Sequence, residues 1–171
     1  GAVIQSNKLS LDGTGDYVRM ARNTAARFGT GRWTLELVFT PTNVSEFNTI
    51  LGIGDVTNDR CILFTQFNDA VWISLSSTGT TWNLMNAYSF TSVLAAGTKI
   101  YVTVEFDGRG YFFYFNGVQK YYLASTSTIY ASTADIYVGS SSTTGSGGEF
   151  KGTISGVRFT KDYNRYGGVH T

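Results

Sequence analysis

Catalysis needs a positioned base, acid or nucleophile, and this sequence offers few. Its one histidine, His170, is the penultimate residue, where chains commonly fray. A serine or cysteine nucleophile would therefore lack the imidazole that usually takes its proton. Glu36 stands among apolar neighbours in Leu35-Glu36-Leu37, and no expected strand carries two acids at alternate positions. Cleaving a glycosidic bond calls for two carboxylates flanking it, and general acid–base work calls for groups held in place. No catalytic residue is assigned, and the chain is expected not to be an enzyme. The single cysteine, Cys61, excludes an internal disulfide and a cysteine-based zinc site. Beside Ile62-Leu63-Phe64 it reads as a small buried hydrophobe.

Flat rings are the other chemical resource, with 12 Phe, 11 Tyr and 3 Trp in the chain. Side chains alternate faces along a strand, so strand position sorts them. If Val102, Val104 and Phe106 face a core, then Tyr101, Thr103 and Glu105 face away. On the next strand Phe113 and Phe115 take inner positions, leaving Phe112 and Tyr114 outside. In Val71-Trp72-Ile73-Ser74-Leu75-Ser76 the inner set is Val71, Ile73 and Leu75, which puts Trp72 outward beside Ser74 and Ser76. Trp82 begins a strand at a loop edge, where it either lines a binding rim or staples the loop to the core. Outward rings with polar neighbours can stack on sugar rings or anchor a protein interface. The alternative is that they cover sheet beneath loops or pair across strands. Trp72, Trp82, Tyr101, Phe112 and Tyr114 are the candidate ligand- or partner-binding residues.

The elements that hold these rings are strands. Hydrophobic residues make up 42% and charged residues 15%, with 20 Gly and a single Pro, a composition that favours pleated sheet and Gly-mediated turns. Trp33, Leu35, Leu37 and Phe39 alternate with Thr34, Glu36 and Val38, the period-two signature of a half-buried strand. Pro41 ends that run, because it cannot donate to a ladder. The segment from Lys99 to Leu123 reads as a three-stranded meander. Asp107-Gly108-Arg109-Gly110 makes its first turn, and Asn116-Gly117 makes a type I′ hairpin. Further strands are expected at 8–11, 17–20, 49–53, 62–67, 71–76, 84–90, 135–138 and 153–160, with a short helical turn around 24–28. About a dozen short strands with almost no helical periodicity indicate an all-β sandwich or barrel.

One domain is expected to occupy residues 1–171. Residues 140–148 have a linker's composition, yet apolar Ile154, Val157 and Phe159 follow, so a long surface loop is expected there. The opening Gly1-Ala2-Val3-Ile4 has no Met and no charged leader region, and reads as the edge of a processed product or fragment. The 13 basic and 12 acidic residues leave a formal charge of +1 with no basic run, so nucleic acid is not an expected partner. No apolar stretch reaches the roughly eighteen residues of a membrane span, so no membrane insertion is expected. Asn43-Val44-Ser45 fits a glycosylation sequon, a short pattern that arises often by chance.

Four motifs in order carry a resemblance. They are Leu9-Ser10-Leu11-Asp12-Gly13-Thr14-Gly15-Asp16-Tyr17-Val18; Trp33-Thr34-Leu35-Glu36-Leu37 leading to Pro41; Val102-Thr103-Val104-Glu105-Phe106-Asp107-Gly108 running to Tyr114-Phe115-Asn116-Gly117-Val118; and Asp135-Ile136-Tyr137-Val138-Gly139 followed by Phe150 to Phe159. Together they resemble the laminin-G-like, concanavalin A-like lectin/glucanase superfamily over almost the whole chain. The resemblance implies a jelly-roll β-sandwich of two antiparallel sheets. The superfamily's glucanases carry a Glu-x-Asp-x-x-Glu strand, which this sequence lacks. Relatives sometimes bind calcium near the positions of Asp12 and Asp16, so these two are the candidate metal ligands. Calcium wants six to eight oxygens, and Ser155-Gly156 stands where many relatives have an Asp-Glu pair. The favoured reading is therefore that Asp12 and Asp16 are turn residues bonding nearby backbone, with no cofactor expected and calcium as the alternative.

The ending Ile154-Ser155-Gly156-Val157-Arg158-Phe159-Thr160-Lys161 with Asn164-Arg165-Tyr166 resembles modules of tailed-bacteriophage virion proteins. That likeness implies a non-catalytic module on a virion surface, in capsid decoration or a tail fibre. Its partners would be virion proteins, cell-surface glycans or both, and the chain would be a homo-oligomer. The alternative is an extracellular carbohydrate-binding lectin module of a secreted bacterial enzyme or adhesin.

Overall fold

Alternating apolar residues become strands wherever turn residues let the chain reverse. The structure, a computed structural model, describes residues 2–5, 7–21, 28, 30–54, 59–142 and 148–162. Thirteen strands occur among them: β1 (Val3–Gln5), β2 (Lys8–Asp12), β3 (Val18–Met20), β4 (Trp33–Pro41), β5 (Asn48–Ile53), β6 (Ile62–Phe67), β7 (Ala70–Leu75), β8 (Met85–Phe90), β9 (Ile100–Phe106), β10 (Gly110–Phe115), β11 (Val118–Ala124), β12 (Ile136–Val138) and β13 (Lys151–Lys161). No helix occurs among the described residues. Residues 24–27 of the expected helical turn, and His170, lie outside them.

The strands form two antiparallel sheets packed face to face, the expected jelly-roll sandwich. One has seven strands in the order β1-β2-β13-β4-β9-β10-β11, the other six in the order β3-β12-β5-β6-β7-β8. The inner face of the larger sheet brings Trp33, Leu35, Leu37 and Phe39 beside Phe106, Val104, Val102 and Ile100. All eight are buried, and with Leu51, Ile53, Ile62, Phe64, Val71, Ile73 and Leu75 they belong to one core cluster. Each such side chain contributes roughly 1.5–3 kcal/mol by leaving water. At the side where β8 and β11 end the sheets, Tyr88 stacks on Tyr121 with centroids 4.7 Å apart and joins the layers.

The meander forms as expected. Asn116 and Gly117 have φ of 51° and 80°, the positive pair that a type I′ turn requires. The Asp107 carboxylate accepts the N–H groups of Arg109 at 2.7 Å and Gly110 at 2.9 Å, tying the preceding turn.

Three features depart from expectation. β1 was not anticipated, because three residues are too few to show a period. Pro41 is the last residue of β4 rather than its stop, opposite Gly152 of β13. Of the expected surface loop at 140–148, Ser140 and Ser141 are buried and residues 143–147 lie outside the described set. Ser140 and Ser141 close onto Gly52 of β5, where an added Cβ would sit 2.7 Å from the Ser141 Cα.

Candidate functional site

The outer face of the seven-stranded sheet sets side chains in cross-strand rows. β13, β4 and β9 place Gly156, Val38 and Tyr101 in one row, and Asn116 joins it by accepting the Tyr101 N–H at 3.0 Å. The next row is Arg158, Glu36, Thr103 and Tyr114. The third is Thr160, Thr34, Glu105 and Phe112. The rows alternate with the inward positions by the ordinary pleat.

The first two rows border an open groove. A hollow of about 490 Å³ is lined by Glu36, Val38, Lys99, Tyr101, Thr103 and Asn116 with their neighbours. A second of about 300 Å³ adjoins it over Gly156 and Arg158. The groove crosses from β13 to the β10–β11 hairpin, about 14 Å at the usual ~4.8 Å strand spacing. Tyr101 presents a half-exposed ring, 50% accessible. The Arg158 guanidinium donates from Nε and Nη2 to the two Glu36 carboxylate oxygens, a forked geometry that fixes both groups. Arg158 remains 51% exposed and Glu36 13%, so donors and acceptors of this pair reach the groove.

The third row is closed. Glu105 and Thr34 are each 0% exposed, and the Thr34 hydroxyl donates to Glu105 Oε1 at 3.0 Å. Tyr114, one row nearer the groove, is buried as well, at 2% exposed. Burial pushes its hydroxyl up to about 12, with the negative charges of Glu105 and Asp107 adding to the effect. Phe112 is half-buried, its ring 4.7 Å from that of Tyr122. Tyr122 in turn lies over Gly110, where an added Cβ would sit 2.3 Å from the ring.

Of the five candidate rings, Tyr101 alone sits in this groove, and the strand faces were right while the accessibilities were not. Thr103, Glu105 and Tyr114 do point away from the core, yet all three are buried. Tyr114 is thereby corrected as a ligand platform: its row borders the groove, yet the residue itself is buried. Trp72 lies on the outer face of the other sheet, between Thr65 and Ser89. It shares no groove with Tyr101, since the core separates the two faces. It is half-buried, and its Nε1 donates to the Phe67 carbonyl at 3.3 Å. The expected outward Ser74 and Ser76 are buried because their hydroxyls accept backbone N–H groups, from Ala87 and Gly79 respectively, both at 2.9 Å.

Trp82 precedes β8 rather than opening it, and the Arg60 guanidinium lies over its ring at 5.7 Å. Arg60 also donates from Nη1 to the Thr80 carbonyl at 2.8 Å, so the pair fastens the β7–β8 loop to the chain before β6. The contact ties Trp82 to Arg60, outside the core cluster, and so decides neither the rim nor the core-staple reading.

Asp12 and Asp16 act within their turn. Asp12 Oδ1 accepts the Thr14 N–H at 2.8 Å, and Asp16 Oδ2 accepts the Asp12 N–H at 2.9 Å. That backbone bond holds the Asp16 carboxyl below the ordinary carboxylate range. Glu149 reaches the same turn and accepts the Gly15 N–H. Among the described residues no three His, Cys, Asp or Glu side chains gather as a metal-ligand set. With these carboxylates engaged by backbone N–H groups of the turn, the donor set among the described residues does not fit a calcium site. Cys61 is buried, and desolvation pushes its thiol up, away from reactivity.

Sequence reasoning missed Arg158, Lys99 and Asn116 as companions of Tyr101. Arg158 and Glu36 are 122 residues apart and meet only because β13 pairs with β4. It also missed that Glu105 shares a face with Glu36 on the adjacent strand, one row away.

A sequence profile described as the concanavalin A-like lectin/glucanases superfamily matches residues 12–163. The chain belongs to this superfamily. Solved structures share the superfamily fold at low identity. Domains LG4-5 of the mouse laminin alpha1 chain match with a TM-score of 0.66 at 16% identity, covering 88% of this chain and 40% of that one. Domain 4 of AbnA, a GH43 extracellular arabinanase from Geobacillus stearothermophilus, in complex with arabinotriose, matches with a TM-score of 0.64 at 15% identity, covering 94% and 74%. The CBM40 of Ruminococcus gnavus IT-sialidase matches with a TM-score of 0.62 at 12% identity, covering 84% and 89%. This superfamily domain thus spans less than half of the laminin fragment it matches. A search of curated proteins finds no match.

Proposed function

We propose that the chain is one non-catalytic domain that binds glycans in the groove over β13, β4 and β9. The observation that carries this reading is the half-exposed Tyr101 ring set beside the Glu36–Arg158 pair in an open groove. A sugar offers an apolar ring face and a rim of hydroxyls, and the groove answers with a flat ring and fixed donors and acceptors. Two structures of this fold support it, the AbnA domain in complex with arabinotriose and the CBM40 bound to alpha2,3 sialyllactose. Hydrolysis is not part of the reading. Glu36 is tied to Arg158, and the neighbouring Glu105 is fully buried, so no two carboxylates flank the groove among the described residues.

The setting we propose is a virion or other extracellular surface, with the virion version resting on the sequence ending alone. Docking to virion proteins belongs to that version. A homo-oligomer or array would multiply a weak single-site affinity, and solution mass checks it.

The test is a glycan array followed by calorimetry on the best hit, in calcium and in chelator. Tyr101→Ala should weaken binding at least tenfold, as loss of an interface anchor does, and chelator should change nothing. A blank array, or a hit indifferent to both Tyr101→Ala and Arg158→Ala, would sink the reading.

A further inference from the structure

The two sheets part where β1, β2 and β13 face β3 and β12, and the opening is apolar. Among the described residues, a hollow of about 170 Å³ is lined by Met20, Phe28, Leu51, Ile53, Val138, Val157 and other apolar side chains only. It meets a wider trough of about 420 Å³, which shares Val138 and Val157 and runs out past Leu9, Val18 and Ile4. Met20 is 52% exposed at the mouth. A carbon-lined hollow near 150 Å³ stays dry and accepts a benzene-sized guest.

Three polar residues, Asn7, Lys8 and Ser155, line the trough, and none lines the hollow. Lys8 is the one charged residue in the described lining of either space. Ser155 sits where the β13 register shifts between Ile154 and Gly156, and such bulges re-aim a side chain. Its hydroxyl is buried with no hydrogen-bond partner among the described residues, and Ser155 lines the trough. A buried hydroxyl left unpaired is costly.

We infer that this cleft binds a small single-chain carboxylate. The aliphatic chain enters the hollow between the sheets, and the carboxylate rests at the mouth beside the Lys8 ammonium, accepting from the Ser155 hydroxyl once rotation about χ1 turns that oxygen outward. The hollow has room for one chain of medium length and not for a two-chain lipid. The inference is independent of the glycan groove, whose ring Tyr101 lines neither space.

The probe is sodium octanoate titrated into methyl-labelled protein, with butyrate and octyl glucoside as controls. Octanoate should shift the methyls of Met20, Leu51 and Val138 saturably. Butyrate, short of four methylenes, should bind more than tenfold more weakly at ~0.8 kcal/mol each. Lys8→Glu should weaken octanoate severalfold and leave octyl glucoside unchanged. Val138→Phe, with folding checked by circular dichroism, should fill the hollow and abolish octanoate binding. Octanoate shifts absent from these methyls, or an affinity unmoved by the exposed Lys8→Glu change, would overturn the inference.

Discussion

Tyr101 and Glu105 point to the same side of β9, yet one is 50% exposed and the other 0%. Their neighbours differ in size. Tyr101 stands between Val38 and Asn116, whereas Glu105 stands between Thr34 and Phe112, with Tyr114 one row on. One end of the sheet face is therefore open to a ligand, and the other spends a carboxylate on holding strands together. The alternation of a strand fixes which side a residue takes, and the bulk of the next strands fixes whether water reaches it.

Substitutions at the two ends should separate sharply. Glu105→Ala removes the acceptor of the Thr34 hydroxyl and hollows a buried row, so it should destabilise by about 3 kcal/mol. For a chain of this size that lowers Tm by roughly 6–12 °C. Tyr101→Ala should leave stability within about 0.5 kcal/mol, so equal shifts in thermal denaturation would erase the contrast.

The next effect is on the alkaline side. A hydroxyl pushed up to about 12 at Tyr114 exceeds the ordinary tyrosine value near 10. The folded state thus holds that proton more tightly than the unfolded state. Stability from this source is whole below about pH 10 and is lost as pH climbs toward 12. Tyr114→Phe should flatten part of the fall seen in denaturant titrations from pH 8 to 12. Tyr111, raised by burial as well, accounts for a share that remains. An unchanged pH profile would show that burial does not hold the Tyr114 proton.

The smallest effect belongs to the open pair. Arg158→Ala breaks a half-exposed ion pair and should cost about 0–1 kcal/mol, as surface pairs do. A Tm drop as large as that of Glu105→Ala would show that the second row is closed too.

Much of the fold was legible because its signals are local. Asn116-Gly117 names its own turn, the alternation at Trp33 to Phe39 names its buried face, and Asp107 ties its own loop. The site was less legible because its partners are distant in sequence. Nothing near Glu36 announces Arg158, and nothing in Val102 to Phe106 announces which rings will pack over Glu105. Trp72 and Tyr101 look alike as outward rings in the sequence, and only the assignment of β7 and β9 to different sheets puts them on opposite sides. Ser155 stands out in the sequence only as a departure from relatives, and its place at a register shift is signalled by no residue type.

β13 is the last described strand along the chain, yet it lies third in its sheet, between β2 and β4. During synthesis on a ribosome, both of those strands emerge long before the strand that joins them. Until then β2 and β4 each present a raw edge, the kind that pairs with other chains. Among the described strands the β1–β2 hairpin has no neighbour besides β13, so it waits for roughly a hundred or more residues to be made. The interval between emergence of β4 and emergence of β13 is thus the window in which this protein is most exposed to misassembly, and slow non-local pairing lengthens it.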